Sequence, residues 1–279
     1  MNKLTAIIPF LNEGIEVENT VSSIRLTAKE NVDILLINDN STDDFDYEYV
    51  AKKYNAKYIK NDERKGVAQS RNIGVSQITT PYFILLDAHM RFYQNDWWKI
   101  AIKYVEENNR AVYCFKCVVL DANGQINDLG KYSIKFGAYF NFFGNKFNSI
   151  LEPSWIHREN YYTDNIPCVL GACYVMEKKY WDYLKGLNLL RYYGSDEFYL
   201  SLKVWFEGGH CRLIEDVGVG HIFRAQSPFQ IMTVDSIYNK LLIAETLLPE
   251  EYIRYIHASM KLINYGDYLF ALSLLNKNK

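Results

Sequence analysis

No uninterrupted apolar stretch in this 279-residue sequence approaches the roughly 20 residues needed to span a bilayer. The N-terminus runs straight into "KLTAIIPF", without the charged-then-apolar order and small-residue cleavage site of a signal peptide. Net charge is −2, with 31 Lys and Arg against 33 Asp and Glu, so no global field argues for nucleic acid as a partner. The expected location is the cytoplasm, extending to peripheral contact with the inner face of the membrane. Five cysteines are an odd number in a long chain, which argues against a disulfide framework. Cys114 and Cys117 form a C-x-x-C, but no second pair follows at zinc-finger spacing. Three apart on a strand they should point to opposite faces, as two buried thiols. No G-x-G-x-x-G follows the first strand and no G-x-x-x-x-G-K-[ST] occurs, which disfavours a dinucleotide dehydrogenase and a P-loop enzyme.

What is present suits a large core: 49% of residues are hydrophobic and 23% charged. Aromatics make up 15%, with 23 Tyr, a composition that suits a sugar-handling surface. Strands are predicted at 4–10, 32–39, 56–61, 82–88 and 111–120, with helices near 15–30, 42–54, 65–77 and 95–109. Repeated β-α-β with strands apolar on both faces predicts a mostly parallel α/β sheet flanked by helices. Ligands of such sheets bind beyond the carboxyl ends of the strands. There the chain places "PFLNE", "INDNSTDD" and "LDAH", which should meet in one cleft. Residues 121–165 are irregular and aromatic; strands resume at 167–176 and 211–223 around a helix at 195–207, and the chain beyond 226 reads as helical. Its apolar positions should pack on the body.

In "ILLDAHMRF", Asp87 and His89 stand two apart, which on a strand means one face, with Ala88 turned away. A carboxylate and an imidazole begin a site for a divalent ion such as Mn²⁺, and His221 in "VGVGHIFR" is the best third ligand. Read blandly, His221 is a buried structural histidine. Arg224 comes near it if the chain turns after Phe223. In "INDNSTDD", Ser41 or Thr42 can cap the next helix and Asp43 and Asp44 suit its N-terminus, leaving Asp39 free for a nucleobase N–H. Arg64, Lys65 and Arg71 fall near the same edge, as nucleotide contacts or as charges on a solvated helix. "YYGSDEFYLSLKVWFEGG" reads as a helix opened by Ser195 and closed by Gly208-Gly209, with Phe198, Leu202 and Trp205 inward. Asp196 and Glu197 fit its first turn through the helix dipole, and fit acid–base work equally.

Taken together, these stretches resemble the GT-A nucleotide-sugar glycosyltransferases over roughly residues 3–225. "AIIPFLNE", "LLINDNSTDD" and "GVAQSRNIGVSQITTPYFILLDAH" resemble the opening half of family-2 glycosyltransferases. The D-x-H, "VGHIFR" and the "GSDEFYLSLKVWFEGG" helix are closer to polypeptide N-acetylgalactosaminyltransferases. That resemblance implies Mn²⁺ (or Mg²⁺) at Asp87, His89 and His221, and a UDP-sugar donor. It also implies Asp39 on the uracil, Pro9, Asn12 and Glu13 along base and ribose, and Asp87 near the ribose. Arg71 and Arg224 would face the nucleotide or its diphosphate, and Gly171 and Ala172 the donor sugar. Where the N-acetylgalactosaminyltransferases have Glu-Asn, this chain has Asp196-Glu197, similar to the acidic pair of family-2 enzymes whose second acid is the catalytic base. Neither the lectin module nor the membrane anchor of the animal enzymes falls within these 279 residues.

The expectation is a nucleotide-sugar-binding half at 1–115 and an acceptor-binding, metal-completing half of the same domain at 116–225. A helical C-terminal extension follows at 226–279. The expected activity moves a hexosyl or N-acetylhexosaminyl group (GalNAc, GlcNAc, Gal or Glc) from UDP to a hydroxyl in polysaccharide biosynthesis, with inversion favoured by the Asp196-Glu197 pair and retention, in which the same acids bind donor or acceptor hydroxyls, as the alternative. The acceptor would be a glycan, a lipid-linked saccharide or a peptide, and residues 134–150 with Trp155 could form its platform or merely a hydrophobic cover. The alternatives are a nucleotidyltransferase, whose glycine- and lysine-rich loop "PFLNEGIEVEN" does not supply, and a non-catalytic glycan- or nucleotide-binding protein on the same scaffold.

Overall fold

The computed structural model describes residues 2–130, 133–144, 150–157, 165–224 and 227–277. The first strand, β1 (Leu4–Phe10), is wholly buried. Its alternation splits two apolar clusters: Leu4, Ala6, Ile8 and Phe10 enter one, Ile7 the other. Three further strands, β2 (Asp33–Asn38), β3 (Lys57–Lys60) and β4 (Tyr82–Leu86), build the parallel part in the order β3-β2-β1-β4. Their crossovers are α1 (Ile15–Ala28), α2 (Tyr47–Lys53) and α3 (Val67–Ser76). Beyond β4 come the short β5 (Met90–Phe92), α4 (Trp97–Glu107) and the long β6 (Ala111–Leu120).

The second half completes the same sheet rather than starting another. After β7 (Ile134–Lys135), β8 (Ala138–Asn141) and β9 (Glu152–Trp155), strand β10 (Cys173–Glu177) inserts antiparallel between β4 and β6. α5 (Lys178–Leu184) and α6 (Asp196–Phe206) lead to β11 (His210–Ile222), which runs parallel to β6 and antiparallel to β5. The sheet is thus mixed, with its antiparallel insert at the centre. β8 and β9 pair separately, and α7 (Thr233–Leu247), α8 (Glu250–Ile263) and α9 (Tyr265–Lys277) follow. α7 is buried from Asp235 to Ala244, whereas α8 and α9 bury Ile256, Met260, Ala271 and Leu275 and leave Leu262, Leu269 and Phe270 exposed. Among the described residues, no helix is long and apolar enough to cross a membrane.

Several local expectations are corrected. The helix predicted from 42 begins at Tyr47 and is capped by Asp46, whose side chain accepts from Tyr49 N at 2.9 Å. Ser41 instead accepts from Asn12 N at 2.9 Å, so the loop is pinned to β1 before any helix starts. Ser195 gives α6 no side-chain cap: it sits at φ 60°, a left-handed conformation that glycine adopts without strain. The strand predicted over 167–176 is regular only from Cys173. Cys114 and Cys117 are buried and free, but both enter the same apolar cluster. Pairing of β6 with β11 shifts register between Ile214 and Gly218, opposite Phe115 and Lys116, and such a shift breaks strict alternation. In the aromatic stretch, Phe140 and Phe142 pack on Phe198 as a cover; 145–149 lie outside the described residues.

Candidate functional site

The carboxyl ends of β1, β2, β4 and β11 open on a cavity of about 530 Å³. It is lined by Pro9, Glu13, Asp39, Arg71, Asp87, His89, Gly171, Ala172, Asp196, Glu197, His221 and Arg224. Asn12 does not line it: its side-chain oxygen accepts from Thr42 N at 2.8 Å and Asp43 N at 3.3 Å, bracing the neighbouring loop.

Asp87 and His89 do not share a strand face, because β4 ends at Leu86 and the two residues occupy the turn into β5. The turn is held from both sides. Asp87 N donates to Ala172 O at 2.9 Å, and the buried Thr20 hydroxyl of α1 contacts Ala88 O at 2.8 Å while accepting from Met90 N at 2.9 Å. Replacing Thr20 with Val should strand the Met90 amide and cost about 1–3 kcal/mol. Urea unfolding would measure it, and an unchanged midpoint would refute the bracing role.

His221 enters from the end of β11, and one potential ligand atom from each of Asp87, His89 and His221 lies within 4.8 Å of the others. His221 Nε2 is 3.3 Å from Asp87 Oδ2. Adjacent ligand atoms about 2.1 Å from one octahedral ion are about 3 Å apart, so this spacing suits a divalent cation. Glu13 Oε2 meets His89 Nδ1 at 3.2 Å, which orients the ring and leaves Nε2 for a metal, the usual support for a ligating histidine. Burial alone would raise the Glu13 carboxyl, but His89 and Arg224 hold it below the usual carboxylate range. Burial likewise opposes ionisation of Asp87, yet His221 and Arg71 keep it well below that range. Burial pushes His221 down despite Asp87, favouring the neutral, ligating imidazole.

Arg71 is buried, not on a solvated helix face. Its guanidinium pairs with Asp196, reaches Asp87 Oδ1 at 3.1 Å and donates to Gly171 O at 2.9 Å. Asp196 is therefore engaged. Glu197, next on α6, accepts no hydrogen bond from another described side chain, and burial raises it to about 7. A Cβ on Gly171 would lie 3.0 Å from the Glu197 carboxyl carbon, so glycine here leaves that acid room. Asp39 accepts from Asn61 Nδ2 and from the backbone N–H of Lys65 and Gly66, at 2.8, 2.7 and 2.8 Å. It fixes the 65–66 loop and keeps one acceptor position on Oδ2. Arg224, past the end of β11, is 2.5 Å from Glu13 Oε2, as a turn after Phe223 requires.

Residues 5–184, more than half of the chain, match the family described as Glycosyl transferase family 2. The chain belongs to that family. Human polypeptide N-acetylgalactosaminyltransferase 14 is 28% identical over 204 residues, covering 71% of this chain and 36% of the relative. Polypeptide N-acetylgalactosaminyltransferase 3 of Taeniopygia guttata is 26% identical over 267 residues, covering 88% and 42%. The chain thus spans well under two thirds of these curated relatives. Among solved structures, GalNAc-T7 with UDP, GalNAc and Mn²⁺ superposes with TM-score 0.74 at 20% identity, covering 92% of this chain and 50% of that one. The mannosyltransferase PcManGT of Pyrobaculum calidifontis, with GDP-Man and Mn²⁺, gives 0.56 at 13%, covering 99% and 76%. The fold is GT-A.

This family-2 site includes residues that sequence reasoning missed. Asn239 of α7 is fully buried; its amide donates to Arg191 O, Tyr193 O and Gly194 O at 2.8, 3.2 and 3.1 Å, and its oxygen accepts from Arg191 N at 2.8 Å. The extension therefore clamps the loop that delivers Asp196 and Glu197. Gly66 brings that loop beside β2's end: a side chain there would collide with the Tyr192 backbone, and Val67 N donates to Tyr192 O at 2.7 Å. Glu152 and Tyr193 also line the cavity. No local pattern marks them, since their partners lie far away in sequence.

Proposed function

We propose that the chain transfers a hexosyl or N-acetylhexosaminyl group from a UDP-sugar to a hydroxyl acceptor, with Mn²⁺ bound by Asp87, His89 and His221. The observation that carries this is one cavity holding both that ligand set and the Glu197 carboxyl. The nucleotide is proposed from the family and from the UDP in the GalNAc-T7 structure. When bound, the ion supplies Lewis-acid charge to the departing diphosphate. Arg224, tethered to Glu13, adds a guanidinium on the same side, and Asp39 offers its remaining acceptor position to the base.

Glu197 is the general base of an inverting transfer: it takes the acceptor hydroxyl's proton as oxygen attacks the anomeric carbon and the UDP bond breaks. Asp196, held by Arg71, keeps the acid's helix in place. The acceptor is a glycan, lipid-linked saccharide or peptide hydroxyl. Incubation with Mn²⁺ and UDP-GalNAc, UDP-GlcNAc, UDP-Gal or UDP-Glc should release UDP, faster with an acceptor sugar. No binding and no release with any donor would sink the reading, and NMR of the product's anomeric centre would test inversion.

A further inference from the structure

One carboxylate of the cavity has no part in the scheme above. Glu152 opens β9, where its side chain is 27% exposed and lines the cavity. Behind it Lys240 of α7, 0% exposed, pairs with Glu152 Oε1 and donates to Ile150 O at 2.7 Å. Burying an ammonium costs several kcal/mol, and a packed apolar side chain avoids that cost. The neighbours Leu241, Leu242 and Ile243 show that apolar residues fill this helix. The lysine's effect is at its far end, where its ion pair holds the Glu152 carboxylate in one orientation. Among the described residues, Glu152 Oε2 has no hydrogen-bond partner, and the side chain that carries it lines the cavity.

An ionised carboxylate is a pure acceptor, matched to hydroxyl donors. Trp155, three residues along the same strand, also lines the cavity and meets Phe223 edge-on at 6.0 Å between ring centroids. Glu152 and Glu197 line the same cavity. We infer that Glu152, fixed by Lys240, is a saccharide-binding group whose free oxygen accepts hydrogen bonds from sugar-ring hydroxyls beside Trp155. The pair is then a specificity element supplied jointly by β9 and the C-terminal extension. This rests on the transferase reading for its substrate class, but not on UDP as the nucleotide.

The test uses the full chain with Mn²⁺, comparing wild type with Glu152→Gln and Glu152→Ala. Glu152→Gln keeps an oxygen for Lys240, so it should fold even if the alanine variant does not. UDP affinity should stay within twofold. If the sugar is the donor's, affinity for UDP-GalNAc or UDP-GlcNAc should fall about tenfold relative to UDP. If it is the acceptor's, donor terms should hold while acceptor KM rises about tenfold. Unchanged values in both arms, or losses that merely follow UDP affinity and melting temperature, overturn the inference. Saturation-transfer NMR with free GalNAc, GlcNAc, Gal and Glc separates the two proposals. A wild type that binds sugar through Glu152 but never UDP would end the donor assignment alone, and one that binds neither would end both.

Discussion

His221→Ala is expected to lower Mn²⁺ affinity, and Mn²⁺-dependent UDP affinity, about 100-fold or more, with turnover at ordinary metal concentrations close to background. Loss of a residue that merely orients a ligand costs 10–100-fold, and loss of a ligand should cost at least as much. The fold should survive. His221 is buried with Nδ1 unpartnered, so removing the ring also removes a polar group whose burial was uncompensated. Manganese titration followed by electron paramagnetic resonance, with circular dichroism as the control for folding, would measure both. Full metal affinity in this variant would show that the three residues are not a metal site. Glu13→Gln is the graded comparison, because it weakens the support of His89 and the tether of Arg224 without deleting a ligand.

Glu197→Gln should lower turnover by about 10²–10⁴, the range for loss of a general base, while leaving UDP affinity nearly unchanged. Equal losses in both would make Glu197 a binding group. The pH dependence supplies a second readout. Burial raises the Glu197 carboxyl from 4.5 to about 7, so the folded chain binds more protons than the unfolded chain between those values. Stability should therefore fall as pH rises through that window, by up to about 3 kcal/mol for this group. The glutamine variant lacks that slope and should be the more stable protein above pH 7. Wild-type activity should rise over the same range as the base ionises, opposite in direction to stability. Urea unfolding at pH 5 and pH 8 for both proteins would decide it; parallel pH profiles would refute the raised Glu197 carboxyl.

The strands around β1 were legible because burial on both faces forces continuous apolar runs, and each run ended in a polar cluster at the cavity. Chemistry-bearing residue types read well for the same reason: a carboxylate or imidazole at the tip of an apolar strand has no packing role there. Local geometry read less well. Asp87 and His89 converge through a turn that Thr20 and Ala172 hold, not through strand alternation. Asn12 and Ser41, each plausible by residue type, brace each other's loops.

The sequence by itself determined the β-α-β half, the location of the cavity and the imidazole and carboxylate side chains that line it, since periodicity and strand-end polarity are local properties. Tertiary structure decided what those side chains are free to do. Arg71 engages Asp196 and, among the described residues, no side chain donates to Glu197; Glu13 serves His89 and Arg224; and Lys240, some 90 residues from Glu152 in the chain, holds it at the cavity. A charge's role depends on its partner and its burial, and both are set by chain segments distant in sequence.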